Sequence, residues 1–275
     1  MGATFDPGYH AKPWTDLVAD CPGAATFPPD SFRVEWGPVF HRGRLDGSAR
    51  VLVVGQDPAA HEAVCRRILV GEAGQRTQGL LARLGITRSY VMVNTFPYSV
   101  FGQGGGTRHV DDPAIVAYRH AWLDALAAGN DLDAIISLGQ LADRACRAWL
   151  GTPAGKACPA TYVTVLHPTY PESASASGRI TKPAAMKRLV ESWDAAVDAL
   201  HPVVRKDTPT RLRHFGPTVA DDARAVPAAD LPAGLPAWMA STDAWAARTG
   251  EDDQTRRATI TVTIPTAARD WPALD

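Results

Sequence analysis

Three short stretches of this chain carry side chains able to share one bond-breaking reaction. Asp57 lies in the turn Gly55-Gln56-Asp57-Pro58, Asn94 precedes Thr95, and His167 precedes Pro168. A carboxylate on a tight turn can orient a water or stabilise a developing cation. An imidazole can donate a hydrogen bond to an oxygen that becomes negative as a leaving group departs. A primary amide presents a donor and an acceptor in one plane, which is how an amide reads a base edge. Around one pocket the three suit cleavage of an N-glycosidic bond, whose transition state is oxocarbenium-like on the sugar and anionic on the base. Singly, each has a plainer explanation: Gly-x-Asp-Pro is commonly just a turn, a strand Asn a local hydrogen-bonding residue, and His-Pro loop punctuation. Joint placement in the fold has to decide.

The elements that would place them are legible. Apolar, β-branched runs at 49–54, 90–96, 134–138 and 162–166 read as buried strands. Helical spacing, Pro near starts and Gly after ends predict helices over 74–84, 113–128, 140–150 and 182–200, with one short helix near 14–20. The alternation predicts an α/β fold, a three-layer α/β/α sandwich with a four-stranded, mostly parallel sheet. Ligands bind such sheets at the carboxyl ends of the strands. Asp57 follows the first strand, Asn94 stands near the end of the second, and His167 follows the fourth. Residues 1–200 form the expected catalytic unit. Residues 201–275, rich in Pro, Ala and Asp and holding one alternating run at 257–265 that reads as a lone strand, are expected as an extension packed on it.

Composition narrows the classes. The chain has 275 residues, 45% of them hydrophobic and 21% charged, which suits a packed globular protein. Its 28 Lys and Arg against 29 Asp and Glu exclude coating of DNA by bulk charge, but not an enzyme with one local basic surface. There is no apolar run of about 18 residues, so no membrane contact is expected. The first residues carry neither a basic segment nor an apolar one, so a cytoplasmic location is expected. The four cysteines, Cys21, Cys65, Cys146 and Cys158, are scattered without a CxxC pair, and neither metal nor cofactor is predicted. The turn after the first strand lacks GxGxxG and GxxxxGK[ST], which argues against a nucleotide-binding enzyme on a similar sheet.

These motifs resemble those of the uracil-DNA glycosylase superfamily. Gly55-Gln56-Asp57-Pro58, Asn94-Thr95 and His167-Pro168 are similar to its water-activating, base-reading and catalytic-histidine motifs. The segment Arg67-Ile68-Leu69-Val70-Gly71-Glu72-Ala73-Gly74 and the run 135–142 resemble its bacterial and archaeal branch. The resemblance covers about 49–200. It implies enzymes that flip a base out of DNA and hydrolyse its glycosidic bond; for an enzyme that must wrap DNA, a monomer with no obligate protein partner is expected. It casts Asp57 and His167 as catalytic and Gln56, Ala59, Leu69 and Asn94 as base-binding. The loop 169–181 is cast as entering the minor groove, with Tyr170 or Ile180 as an apolar wedge and Ser173, Arg179 and Lys182 on phosphates.

The departures carry information too. In the uracil-specific family the turn continues Gly-Gln-Asp-Pro-Tyr-His, and the Tyr ring blocks the C5 side of the pyrimidine; here Ala59 and Ala60 follow. Leu69 stands where the family has a base-stacking Phe, with Phe96, Tyr98 and Phe101 nearby as replacements. The Gly-rich stretch 101–109 reads as a loop ending in Arg108, a phosphate contact, and His109, whose counterpart in one subfamily bonds covalently to the sugar. The iron–sulfur cysteines of the related branch are missing from their expected places. Two substrates are then open: uracil, and a cytosine with a bulky C5 group such as the glucosylated hydroxymethylcytosine of phage DNA, which one anti-phage member of the superfamily attacks. Ala59, Ala60 and the additional C-terminal segment favour the second. A binder that recognises modified or damaged DNA without cutting, or that traps it through His109, is the alternative of another class.

Overall fold

The computed structural model describes residues 9–101, 103–241, 245–249 and 259–268. In chain order its elements are α1 (Trp14–Ala19), β1 (His41–Gly43), β2 (Val51–Gly55), α2 (Ala60–Cys65), α3 (Glu72–Arg83), β3 (Tyr90–Asn94), α4 (Gln103–His109) and α5 (Pro113–Gly129). Then come β4 (Ala134–Leu138), α6 (Gln140–Leu150), α7 (Pro153–Ala157), β5 (Thr161–Val165), α8 (Tyr170–Ala176), α9 (Lys182–Leu200), β6 (Ala246–Arg248) and β7 (Ile260–Val262).

The α/β sandwich is as expected, but the sheet has five strands rather than four, in the order β1-β3-β2-β4-β5. β2 to β5 run parallel, and β1 adds an antiparallel edge with His41 opposite Val93. Strand alternation sorts the core into two faces. Val51, Val53, Tyr90, Met92, Ile136 and Val165 turn toward α3 and α9, while Leu52, Val54, Val91, Val93 and Ile135 turn toward α5 and α6. β3 lies on one side of β2 and β4 on the other, so the winding reverses at β2. That reversal opens a crevice beyond the carboxyl ends of the strands.

Three stretches depart from their expected form. Residues 101–109 are mostly helix α4, not loop. Gly106 is buried there, and a Cβ on it would stand 3.3 Å from both Leu141 Cδ1 and Phe96 Cε2; tertiary approach thus outweighs the weak helix propensity of three glycines. Residues 169–181 are mostly α8, with Pro171 at its first turn. The run at 257–265 is no lone strand: β7 pairs antiparallel with β6, Ala246 opposite Val262, although Arg257 itself lies outside the described residues.

Beyond Leu200 the chain runs back over the core. Asp207 Oδ2 accepts the backbone N–H groups of Thr87, Arg88 and Ser89 at 2.8, 2.8 and 3.0 Å. Phe215 packs edge-on against Trp193, with the Arg83 guanidinium 4.7 Å from its ring centre. A Cβ on Gly79 would come within 2.3 Å of Asp222 O, so only glycine lets the strap lie this close to α3. Farther on, Asp230 accepts from Arg42 at 3.2 Å and Arg44 at 2.5 Å, and the Arg42 and Asp230 side chains are fully buried. Tyr90 OH donates to the same carboxylate. Finally Val226, Leu231, Met239, Trp245 and Ala246 join Ala60, Cys65 and Val70 in one apolar cluster. The strap therefore ends against α2, the helix that begins just after Asp57.

Candidate active site

The carboxyl edge of the sheet gathers the three chemistry-bearing residues. Gly55 and Asn94 are register partners at the ends of β2 and β3. Thr95 donates to Gly55 O through both its backbone N–H and its hydroxyl, each at 2.9 Å, and Phe96 N–H reaches Gln56 O at 3.0 Å. These bonds clamp the Gly55–Asp57 turn to the end of β3. A Cβ on Gly55 would stand 2.4 Å from Asn94 Oδ1, so the glycine is what lets the amide lie across the turn.

Asp57 is held by both oxygens. Oδ2 accepts Val100 N–H at 2.8 Å, and Oδ1 accepts Gln56 Nε2 at 3.1 Å. Burial pushes its pKa up to about 6, against the opposing pull of these two donors and of the Arg248 cation; the Glu62 charge adds a smaller upward push. The carboxylate is thus mostly ionised at neutral pH and more basic than an exposed aspartate.

Glu62, one turn into α2, organises the neighbourhood. Its carboxylate accepts Ala59 N–H at 3.0 Å and Val70 N–H at 2.9 Å, tying the start of α2 to the segment before α3. The bond to Ala59 is half of a capping box, since Ala59 has no side-chain oxygen to complete it. Ala59 itself is exposed.

His167 follows β5, against Gly139, which links β4 to α6 with φ +87° and on which a Cβ would lie 3.2 Å from His167 Cβ. His167 Nδ1 accepts Thr169 N–H at 3.3 Å and lies 3.0 Å from the Thr169 hydroxyl. A backbone N–H can only donate, so Nδ1 is the acceptor and the proton sits on Nε2. Burial, with the nearby Arg76 cation, pushes the pKa of His167 down to about 4, so the ring is neutral at physiological pH. Among the described residues nothing accepts from its Nε2–H, and a neutral imidazole so placed is a hydrogen-bond donor, not a general base.

The family model of the uracil DNA glycosylase superfamily matches residues 42–194, more than half of the chain. The chain belongs to that superfamily, a family of DNA glycosylases. No match is found among curated proteins. The superfamily domain accordingly begins in β1 and ends within α9, and the strap lies outside it.

Sequence reading missed two residues that fix this superfamily site. Glu62 is one. The other is Arg76, which is 4% exposed. It donates to Pro168 O at 2.6 Å and to both Glu172 oxygens at 3.0 and 3.1 Å, and it also pairs with Glu72. Arg76 thereby locks the His167-Pro168 turn between α3 and α8. Only the Glu72–Arg76 spacing of four was visible in sequence; Pro168 and Glu172 are more than 90 positions away.

Other expected site residues fall in varied places. Leu69 is 6% exposed, has φ +53°, and packs in the core beneath Gly55. Phe96 and Tyr98 belong to a buried aromatic cluster with Phe27 and Phe32. Phe101 is only partly buried, with the Arg33 guanidinium 4.8 Å from its ring centre. His109 sits at the end of α4, its Nδ1 2.6 Å from Asp112 and its Nε2 3.0 Å from Ser31 Oγ, so both nitrogens are engaged. Arg108 is exposed. Tyr170 opens α8 and Ile180 follows it, both partly buried, while Ser173 and Arg179 are exposed. Lys182 pairs with Glu172 at 3.2 Å, which makes it part of the Arg76–Glu172 cluster.

Proposed function

We propose that this protein is a monofunctional DNA glycosylase that removes a C5-substituted cytosine, such as glucosylated hydroxymethylcytosine, from DNA, and so acts against phage DNA. The exposed methyl of Ala59 carries the reading. No ring stands at this position on the C5 side of the pyrimidine, where the uracil-specific turn places a tyrosine. Asn94 does not choose between the bases, because one amide rotated by half a turn satisfies the edge of either uracil or cytosine. Discrimination therefore rests on the C5 side.

The chemistry follows from the two tuned groups. As the bond from C1′ to the base lengthens, its electron pair goes to the base, and the Nε2–H of His167 donates to the base oxygen that gains charge. The sugar becomes oxocarbenium-like beside the Asp57 carboxylate. Asp57 aligns a water for attack on C1′ and takes its proton, leaving an abasic site and the free base. A covalent trap through His109 would require its Nε2 to leave Ser31 Oγ, with Asp112 holding Nδ1.

The test uses two DNAs, one carrying uracil and one carrying glucosylated hydroxymethylcytosine, with alkali to cut abasic sites and Asp57→Ala as the control. The expected result is cutting of the second DNA alone, lost in Ala59→Tyr, whose ring would fill the C5 side. Cutting of the uracil DNA alone would make this a repair enzyme and refute the C5 reading. Binding of modified DNA without cutting would make it a non-cutting binder.

A further inference from the structure

The superfamily domain stops within α9, yet the last described strands return to the catalytic turn. β6 packs on α2, which begins three residues after Asp57. Trp245, just before β6, meets His61 of α2 edge-on with ring centres 4.7 Å apart, and Trp238 packs on Trp245 in turn. A backbone bond from Thr263 N–H to Trp245 O at 2.7 Å and the Thr249–Thr261 hydroxyl pair at 2.7 Å hold β7 against β6. Trp245 and Ala246 are buried, whereas Ala247 and Arg248 are exposed. The start of the hairpin is thus packed on α2, and the exposed Arg248, two residues beyond Ala246 on the same strand face, brings a cation toward the rim of the site. Among the described residues Arg248 makes no ion pair. The charge of Arg248 nevertheless reaches Asp57, where it favours the ionised carboxylate.

A cation carried toward the Asp57 turn by a hairpin packed on α2 needs a reason. It does not neutralise Asp57 by contact, and exposed arginine is a poor packing element. The substrate reading supplies one: DNA flipped into this crevice brings a phosphate on each side of the extruded nucleotide, and arginine is suited to phosphate oxygens. We propose that the β6–β7 hairpin is a DNA-contacting arm of the active site and that Arg248 binds a backbone phosphate flanking the flipped nucleotide. This rests on the DNA glycosylase reading, but not on which base is excised.

The test is therefore made on duplex DNA with a stable abasic-site analogue, which has no base to choose. Binding is measured against salt for the full chain, Arg248→Ala and Arg248→Lys. One phosphate contact contributes about 0.9 to the slope of log affinity against log salt on a duplex. Arg248→Ala should lower the slope by about that amount and weaken binding roughly tenfold, the worth of a charge-assisted bond, while Arg248→Lys keeps the slope. The residue is exposed, so thermal unfolding of the variants should match the parent. An unchanged slope in Arg248→Ala, with the parent binding normally, overturns the arm and leaves the glycosylase reading standing. A parent that binds no DNA at any salt overturns both.

Discussion

Two groups of unlike titration meet at the crevice, and this shapes the pH response. With Asp57 at about 6 and His167 at about 4, only the carboxylate changes charge near neutrality. Single-turnover excision should therefore rise with pH through a midpoint near 6 and then level off, with no second step from His167. Asp57→Asn should slow excision by roughly 10²–10⁴-fold. The same substitution should stabilise the fold. A carboxyl whose pKa is raised on folding binds its proton more tightly in the native state, so its contribution to stability falls between the unfolded value near 4 and about 6, and stays low above. Removing that charge should recover roughly 1–3 kcal/mol at pH 8 and nothing at pH 3, seen as a rise in Tm only at the higher pH. Asp57, Asn94 and His167 were legible in sequence because their types and strand-end positions announce chemistry. Glu62 and Arg76 were not, because a buried polar residue declares its purpose only through partners far along the chain.

At the scale of elements, β2 to β5 and the helices α5, α6 and α9 were legible because each carries one strong periodic signal. β1 was not. Its three residues, His41, Arg42 and Gly43, hold no apolar run, and the strand is seated by a buried ion pair and by pairing with β3. The helices α4 and α8 are likewise tertiary constructions, read in sequence as Gly-rich and Ser-rich loops. Close approach between elements makes sharp predictions. A Cβ on Gly74 would lie 1.5 Å from Leu69 O, so Gly74→Ala should cost more than about 3 kcal/mol, checked by denaturant unfolding. Gly55→Ala displaces the Asn94 amide instead. It should leave a folded protein whose excision rate falls much more than its affinity for abasic-site DNA, measured on the two substrates side by side.

The whole molecule is joined through Asp230. Asp230→Ala leaves the Arg42 guanidinium buried without a carboxylate and should cost about 3–5 kcal/mol, read as a lower urea midpoint and as early proteolytic cleavage within the strap. The double change to apolar residues of similar volume should recover much of that loss. The pair spans 188 positions, which gives synthesis a particular order. At about 5–20 residues per second, roughly 10–40 seconds pass between the emergence of Arg42 and that of its counter-ion. Throughout that interval Arg42 lacks its carboxylate, so β1 sits on β3 less firmly than in the finished fold, and the β3 edge that it covers is more open to a second nascent chain. The same wait keeps the turn that carries Asp57 without its outer wall, so a half-made copy has the catalytic turn of the superfamily domain but not the hairpin that packs beside it.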